Sequence, residues 1–261
     1  MKRARAASIL AAAVALASVS CGTDTGARSD GTNGSSAGET LTVFAAASLK
    51  DTFTEIAAQF EETHDGITVD LAFAGSSDLL AQLSQGAPAD VFAPADTGTM
   101  SRAGDDGLVS GDPVPFVTNT LTIVTEAGNP KGIESFDDLT RSGVTVVVCA
   151  PQVPCGAATV RAEEATGVEL EPVSEESSVT DVLGKITSGQ ADAGLVYVTD
   201  ARSAGDNVTA VPFPGSADSV NTYPIAVLED SQNPDTAQMF VDYVAGPEGR
   251  KILADAGFDV P

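Results

Sequence analysis

Two periodicities alternate along the chain from residue 41 onward. Short apolar runs rich in Val, Ile, Thr and Phe predict strands over Leu41–Ala45, Ile67–Phe73, Asp90–Ala93, Thr120–Thr125, Val144–Cys149, Gly194–Val198, Val208–Pro212 and Tyr223–Leu228. Between them, apolar residues recur at helical spacing, as in Leu49, Phe53, Ile56 and Phe60. These runs predict helices over Leu49–Glu62, Asp78–Gln85, Thr97–Ala103, Ala157–Thr166, Thr180–Ser188, Pro234–Ala245 and Glu248–Ala256. Gly167 and Gly189 follow two of the helical runs, and Pro234 opens another after Ser231-Gln232-Asn233. The alternation predicts an α/β protein with mostly parallel sheets covered by helices.

Such sheets bind ligands at the carboxyl ends of their strands. Five strand-to-helix junctions pair small or polar residues with a helix start: FAAASLKD, FAGSSDLL, VFAPADTG, CAPQVPCGAA and EESSVTDV. A serine or aspartate at such a place is usually a plain helix cap. A helix start also offers free N–H groups and the positive end of a dipole, which suit an anion. Asp90 and Asp96 read as a structural carboxylate and a cap, so neither is assigned to a ligand.

Charge narrows the partners. The chain has 37 acidic and 13 basic residues and a formal net charge of −24, which argues against nucleic acid and anionic lipid. An anion site is still compatible with this charge if neutral dipoles hold the anion, because surface charge acts through screened solvent.

At the N-terminus, Lys2, Arg3 and Arg5 precede an apolar run from Ala6 to Val19. This predicts a signal peptide over residues 1–20, too short to span a bilayer, and hence an exported protein. Ser18-Val19-Ser20-Cys21 resembles a bacterial lipobox, without the usual Leu at the third position before the cysteine. The expectation is lipidation of Cys21 at the outer face of the cytoplasmic membrane; the alternative is plain secretion. Residues 21–40, rich in Gly, Ser, Thr and Asp, read as a tether spanning roughly 25 Å. Cys149 and Cys155 form a candidate disulfide outside the cytosol, worth about 2 kcal/mol by loop closure; the alternative is a reduced pair. Metal-type Cys spacing is absent and the single histidine, His64, lies in a polar turn, so a metal site of ordinary type is not expected.

Read in order, TVFAAASL, FAGSSDLLAQLSQGAPADVFAPAD, CAPQVPCGAAT, SSVTDVLGKITSGQADAGLVYVTDA and YPIAV resemble the molybdate-binding proteins of bacterial ABC transporters, from about residue 41 to 257. The resemblance implies a two-lobed periplasmic binding protein with a hinged cleft. Lobe 1 is expected over 41–117 and 223–261, and lobe 2 over 118–222, with crossings near Phe116–Thr120 and Asn221–Pro224. It implies an oxyanion held by the hydroxyls of Ser48 and Ser76, the backbone N–H groups of Cys155 and Val179, and the Tyr197 hydroxyl. Ser77 is a weaker candidate beside Ser76. One departure is the cysteine at 155, where Ala or another small residue is usual.

By the same resemblance the ligand is molybdate or tungstate, and molybdenum is held only as its oxyanion, with no cofactor. The partners are a membrane permease and a cytoplasmic ATPase, the chain is a monomer, and it is not an enzyme. The alternatives are a carrier of sulfate or another tetrahedral oxyanion, an exported α/β hydrolase using His64, and an anchored sensor or adhesin with a vestigial cleft. G-x-S-x-G is absent, which weighs against the hydrolase.

Overall fold

Residues 38–260 are described by a computed structural model, and every structural statement below concerns them. The expected signal peptide, Cys21 and most of the tether lie outside the described residues. The tether gives way to structure earlier than residue 40, because β1 begins at Glu39.

The first half-chain runs β1 (Glu39–Ala46), α1 (Lys50–Thr63), β2 (Ile67–Ala74), α2 (Ser76–Ser84), β3 (Val91–Ala93), α3 (Thr97–Asp105) and β4 (Val109–Asn119). The second runs β5 (Leu121–Glu126), β6 (Val146–Cys149), α4 (Pro154–Thr166), β7 (Ser174–Glu176), α5 (Val179–Thr187), β8 (Ala193–Tyr197), α6 (Val198–Ala204) and β9 (Val208–Val211). β10 (Asn221–Leu228), α7 (Pro234–Ala245) and α8 (Pro247–Ala256) close the chain.

Two five-stranded sheets result, in the orders β2-β1-β3-β10-β4 and β7-β6-β8-β5-β9. In each, the first three strands are parallel, the fourth is reversed and the fifth turns back. The reversed strand of each sheet follows directly on a strand of the other: β5 follows β4, and β10 follows β9. The chain therefore changes lobes twice, at Thr120 and just before Asn221. Asn119 and Asn221 face each other as the last ladder pair of β4 and β10.

The apolar periodicity of α1 explains the first lobe. Phe53, Ile56 and Phe60 are fully buried on one face, where Phe53 and Phe60 meet Phe240 of α7 at ring-centroid distances of 6.2 and 5.3 Å. Phe44, Leu79, Leu83, Phe92 and Met100 fill the other face of the same sheet. Val147, Val182, Ile186 and Leu195 do the same work in the second lobe.

Three elements escape a sequence reading. β4 contains Gly111, Pro113 and Pro115, which argue against a strand, but β4 is an edge strand, where proline is tolerated. β7 is three polar residues, also at an edge. α6 is seven residues long without an apolar stripe, and it takes over Val198, expected to end the preceding strand. Asn233 stands before α7 as expected, but its side chain donates to the Thr40 carbonyl rather than capping the helix. No helix among the described residues is long and apolar enough to cross a membrane.

Candidate functional site

The small residues after β1 are buried: Ala45, Ala46 and Ala47 pack without side-chain bulk, and the chain passes through a single 3-10 turn, Ala47–Leu49, before α1 begins. Ser48 sits in that turn. It does not cap α1, whose N-cap is Leu49 with no side-chain hydrogen bond. Its hydroxyl instead meets the Tyr223 hydroxyl at 3.1 Å. Ser76 is the first residue of α2, after Gly75, and does not cap it either. Its oxygen accepts from Ala95 N at 3.0 Å, and its own proton has no acceptor among the described residues. Ordinary caps occur nearby and look different: Asp96 accepts from Thr99 N in α3, and Ser178 from Asp181 N in α5.

The second lobe faces these serines with two helix starts. Cys155 is the second residue of α4 and Val179 the first of α5. N–H groups at those positions have no intrahelical acceptor, and neither of these donates to another described residue. A disulfide joins Cys149 to Cys155 across a Cα separation of 5.6 Å and ties the end of β6 to the start of α4. Gly156 is required in that tight loop, since a Cβ there would lie 1.9 Å from the Ala150 carbonyl oxygen. Tyr197, at the end of β8, is 1% exposed.

All five expected residues, Ser48, Ser76, Cys155, Val179 and Tyr197, line one cavity of about 20 Å³ between the sheets. No charged side chain lines it. The rest of its wall is small or apolar, including Ala46, Ala95, Pro154 and the Gly75 backbone. A space of this size takes one compact group, a little more than a water needs. The starts of α2, α4 and α5 converge on it, so helix dipoles present their positive ends from both lobes. The arrangement can surround a small anion with donors and supplies no counter-charge.

The lobes are in contact around this cavity. Ser77, the weaker candidate beside Ser76, points its hydroxyl across to the Gln152 carbonyl at 2.9 Å. Ser203 donates to Asp51 at 2.5 Å. Asn221 Nδ2 donates to the Ala95 carbonyl of one lobe at 2.9 Å and to the Pro154 carbonyl of the other at 3.2 Å. Gly75 lies so close to the second lobe that a Cβ on it would be 2.1 Å from the Ser177 carbonyl oxygen.

Over 245 residues the chain is 54% identical to the molybdate-binding protein ModA of Mycobacterium tuberculosis (H37Rv), covering 93% of each. The chain belongs to the ModA family of molybdate-binding proteins. The broader family described as bacterial extracellular solute-binding protein matches residues 41–259. ModA of Escherichia coli K12 is 31% identical over 230 residues, 84% of this chain and 89% of its own. The periplasmic molybdate-binding protein of Azotobacter vinelandii superposes with a TM-score of 0.75 over 85% of this chain and 99% of its own. At 22% identity that likeness speaks for the fold alone. Membership makes this a substrate-binding component of an ABC transporter, with the two-lobed α/β fold of that class.

Inside a ModA-type cleft the buried titratable groups acquire a definite sense. Burial, with Tyr223 and the Asp200 and Asp96 carboxylates nearby, holds the Tyr197 phenol well above its ordinary value. Burial and Asp200 push Tyr223 up too, against hydrogen bonds from Ser48, Tyr197 and Asn119 that pull it down. Both phenols therefore keep their protons at physiological pH. Burial raises the Asp200 carboxyl to about 7, opposed by the Tyr197 N–H it accepts at 3.1 Å and reinforced by Asp51. Asp90 accepts from Thr42 N, Ser231 and Gln232 N and is structural.

His64 stacks on Phe60 at the far end of α1, about 21 Å along the helix from the Ser48 turn, where it cannot act as a base on either serine. Among the described residues no group of three or more His, Cys, Asp or Glu side chains could hold a metal ion.

Sequence reasoning did not single out Gly75, Arg161, Tyr223 or Asn221 as site residues. Tyr223 lay inside a recognised motif, YPIAV, but as one more apolar strand residue. Asn221 and Arg161 carry no local signal, since they meet only when the chain returns through the hinge.

Proposed function

We propose that this protein captures molybdate, and tungstate with it, outside the cytoplasmic membrane and delivers it to the permease of an ABC importer driven by a cytoplasmic ATPase. The observation that carries this reading is the donor set. The hydroxyls of Ser48, Ser76 and Tyr197 and the helix-start N–H groups of Cys155 and Val179 line one small cavity, with Ser177 and Ser178 also in its wall and no charged side chain. Molybdate, tungstate and sulfate are full dianions at neutral pH and accept every such bond. Hydrogen phosphate retains a proton, and a site whose hydroxyls are turned to donate leaves that proton without a partner, a penalty of about 1–3 kcal/mol or more.

In this reading Ser48 and Ser76 bind from the first lobe, and Cys155 N, Val179 N and Tyr197 Oη from the second. The lobes, 41–117 with 223–261 and 118–222, swing about the Asn119–Asn221 pair. Closure distinguishes the loaded from the empty protein at the permease. The protein acts as a monomer, without a cofactor or enzymatic activity, and Cys21 anchors it through the tether to the outer face of the membrane.

Calorimetric titration with molybdate, tungstate, sulfate and phosphate tests the reading. Calorimetry suits a chain without tryptophan. Tight binding of molybdate and tungstate, weak sulfate and silent phosphate is the expected pattern. Sulfate binding alone would reassign the cargo, and no heat with any of the four would overturn the reading.

A further inference from the structure

A tyrosine hydroxyl can donate or accept, so a site built on one is selective for a proton-free anion only if something fixes its direction. Asn221 and Arg161 are placed to do so. Asn221 is 2% exposed and opens β10 at the hinge. The Arg161 guanidinium, from α4, donates to Asn221 Oδ1 and to the Val220 carbonyl at 3.3 Å. A guanidinium has no acceptor, so the amide oxygen must face Arg161 and the NH₂ must face the cleft. The two carbonyls beyond it, Ala95 O and Pro154 O, require the same orientation.

The shortest contact of that NH₂ is the Tyr197 hydroxyl, at 2.7 Å, so its two protons serve three acceptors and one of them is shared. An amide nitrogen cannot accept, so the tyrosine oxygen accepts here and its own proton must point elsewhere. Two directions remain: toward Tyr223, whose ring packs edge-on against Tyr197 with centroids 5.8 Å apart, or into the cavity. Tyr223 also meets Ser48, at 3.1 Å, and has one proton to pass on. Whichever of Ser48 or Tyr197 receives it keeps its own proton for a ligand.

We propose that Arg161 and Asn221 are positioning residues that hold the Tyr197 oxygen as an acceptor on the hinge side, so that the linked hydroxyls of Tyr197, Tyr223 and Ser48 are left to donate a proton into the cleft, and that this bias disfavours oxyanions carrying a proton. The proposal rests on the oxyanion reading given under the proposed function. The positive charge of Arg161 acts one residue removed from the ligand, through an amide it orients and polarises. Because Asn221 also bridges carbonyls of both lobes, the arrangement is complete only when the lobes are together.

Replacing Asn221 by Asp inverts the device. A carboxylate only accepts, so the Tyr197 hydroxyl turns to donate to it and shows the ligand a lone pair. At about pH 8 both hydrogen phosphate and molybdate carry two negative charges, so the added carboxylate penalises them alike and their affinity ratio isolates the proton.

The test is calorimetry and competition with molybdate and phosphate on the wild-type protein, Asn221→Asp, Arg161→Met and Arg161→Lys. The molybdate-to-phosphate ratio is expected to fall about 100-fold in Asn221→Asp and about 10-fold in Arg161→Met, and to recover in Arg161→Lys, which still donates to the amide. Ligand-free thermal unfolding checks that each variant folds, and if Asn221→Asp does not, the Arg161 pair decides. Wild-type binding of molybdate with ratios unchanged in the folded variants would overturn the proposal. A wild-type protein that binds neither anion would instead overturn the functional reading beneath it.

Discussion

The two lobes approach the cavity with different chemistry. The first offers side-chain hydroxyls, Ser48 and Ser76, from turns that could have used them as caps and do not. The second offers the main chain at Cys155 and Val179, with Tyr197 behind. A side-chain donor is written in the sequence as a residue type. A backbone donor is written nowhere, because any residue but proline supplies one. The contrast extends to substitution: replacing Ser48 or Ser76 removes a hydroxyl from the cavity, whereas any residue but proline at 155 or 179 keeps the N–H, although both side chains there are buried.

The largest effect is expected where the lobes meet. Gly75 has φ −57° and ψ 137°, a conformation open to any residue, so only the Ser177 carbonyl excludes a Cβ. Gly75→Ala should fold with unchanged thermal stability and lose molybdate affinity by about 1,000-fold, because one lobe's donors no longer reach the ligand. Calorimetry beside a melting curve separates the two readouts, and an Ala variant that binds normally would mean closure is less tight than this contact requires.

Next comes Asp200, buried in the second lobe with Asp51 of the first adding to its rise. Its folded value of about 7 lies above the ordinary 3.8. Between those values the folded state holds a proton that the unfolded state has lost. Stability from this group is thus full below about pH 4 and is lost as pH rises through 7. Asp200→Asn, which keeps an acceptor for Tyr197 N, should flatten the stability profile across that window and raise stability at pH 8 by on the order of a few kcal/mol. Denaturant titrations from pH 4 to 8 would reveal it; a profile unchanged by the substitution would refute the raised carboxyl.

The serines and helix starts give the sharpest contrast between lobes. Ser48→Ala or Ser76→Ala should weaken molybdate binding by about 10–100-fold, the worth of a hydrogen bond to a charged group. Val179→Ala should change little. Val179→Pro should cost as much as losing a serine while leaving α5 intact, since proline suits the first helical position and Ser178 before it is already extended at φ −144°, ψ 157°. Equal affinities for the Ala and Pro variants would remove Val179 N from the ligand set.

The smallest effect on binding is expected from the disulfide. Cys149→Ser with Cys155→Ser should lower stability by about 2 kcal/mol and leave molybdate affinity within a few-fold, because the donor at 155 is backbone.

Much of the fold was legible because periodicity records which face is buried. Phe53, Ile56 and Phe60 announce α1, and Val146–Cys149 announces a strand covered on both sides. β4 was illegible because its prolines forbid a central strand and an edge strand escapes that rule. In the site, Ser48 and Ser76 could be picked out but not separated from caps, a choice made only by what surrounds them: Tyr223 for one, Ala95 N for the other.

The sequence by itself determined the α/β class, most of the elements, the family and the residue types that line the cleft. These follow from local patterns and from motifs whose members are close in the chain. Only the tertiary structure decided which hydroxyls are free to donate, that Gly75 must lack a Cβ, and that Arg161, Asn221 and Tyr197 form one hydrogen-bonded line. The physical reason is that a donor's direction depends on its neighbours' lone pairs, and here the neighbours come from the opposite ends of two crossings between lobes.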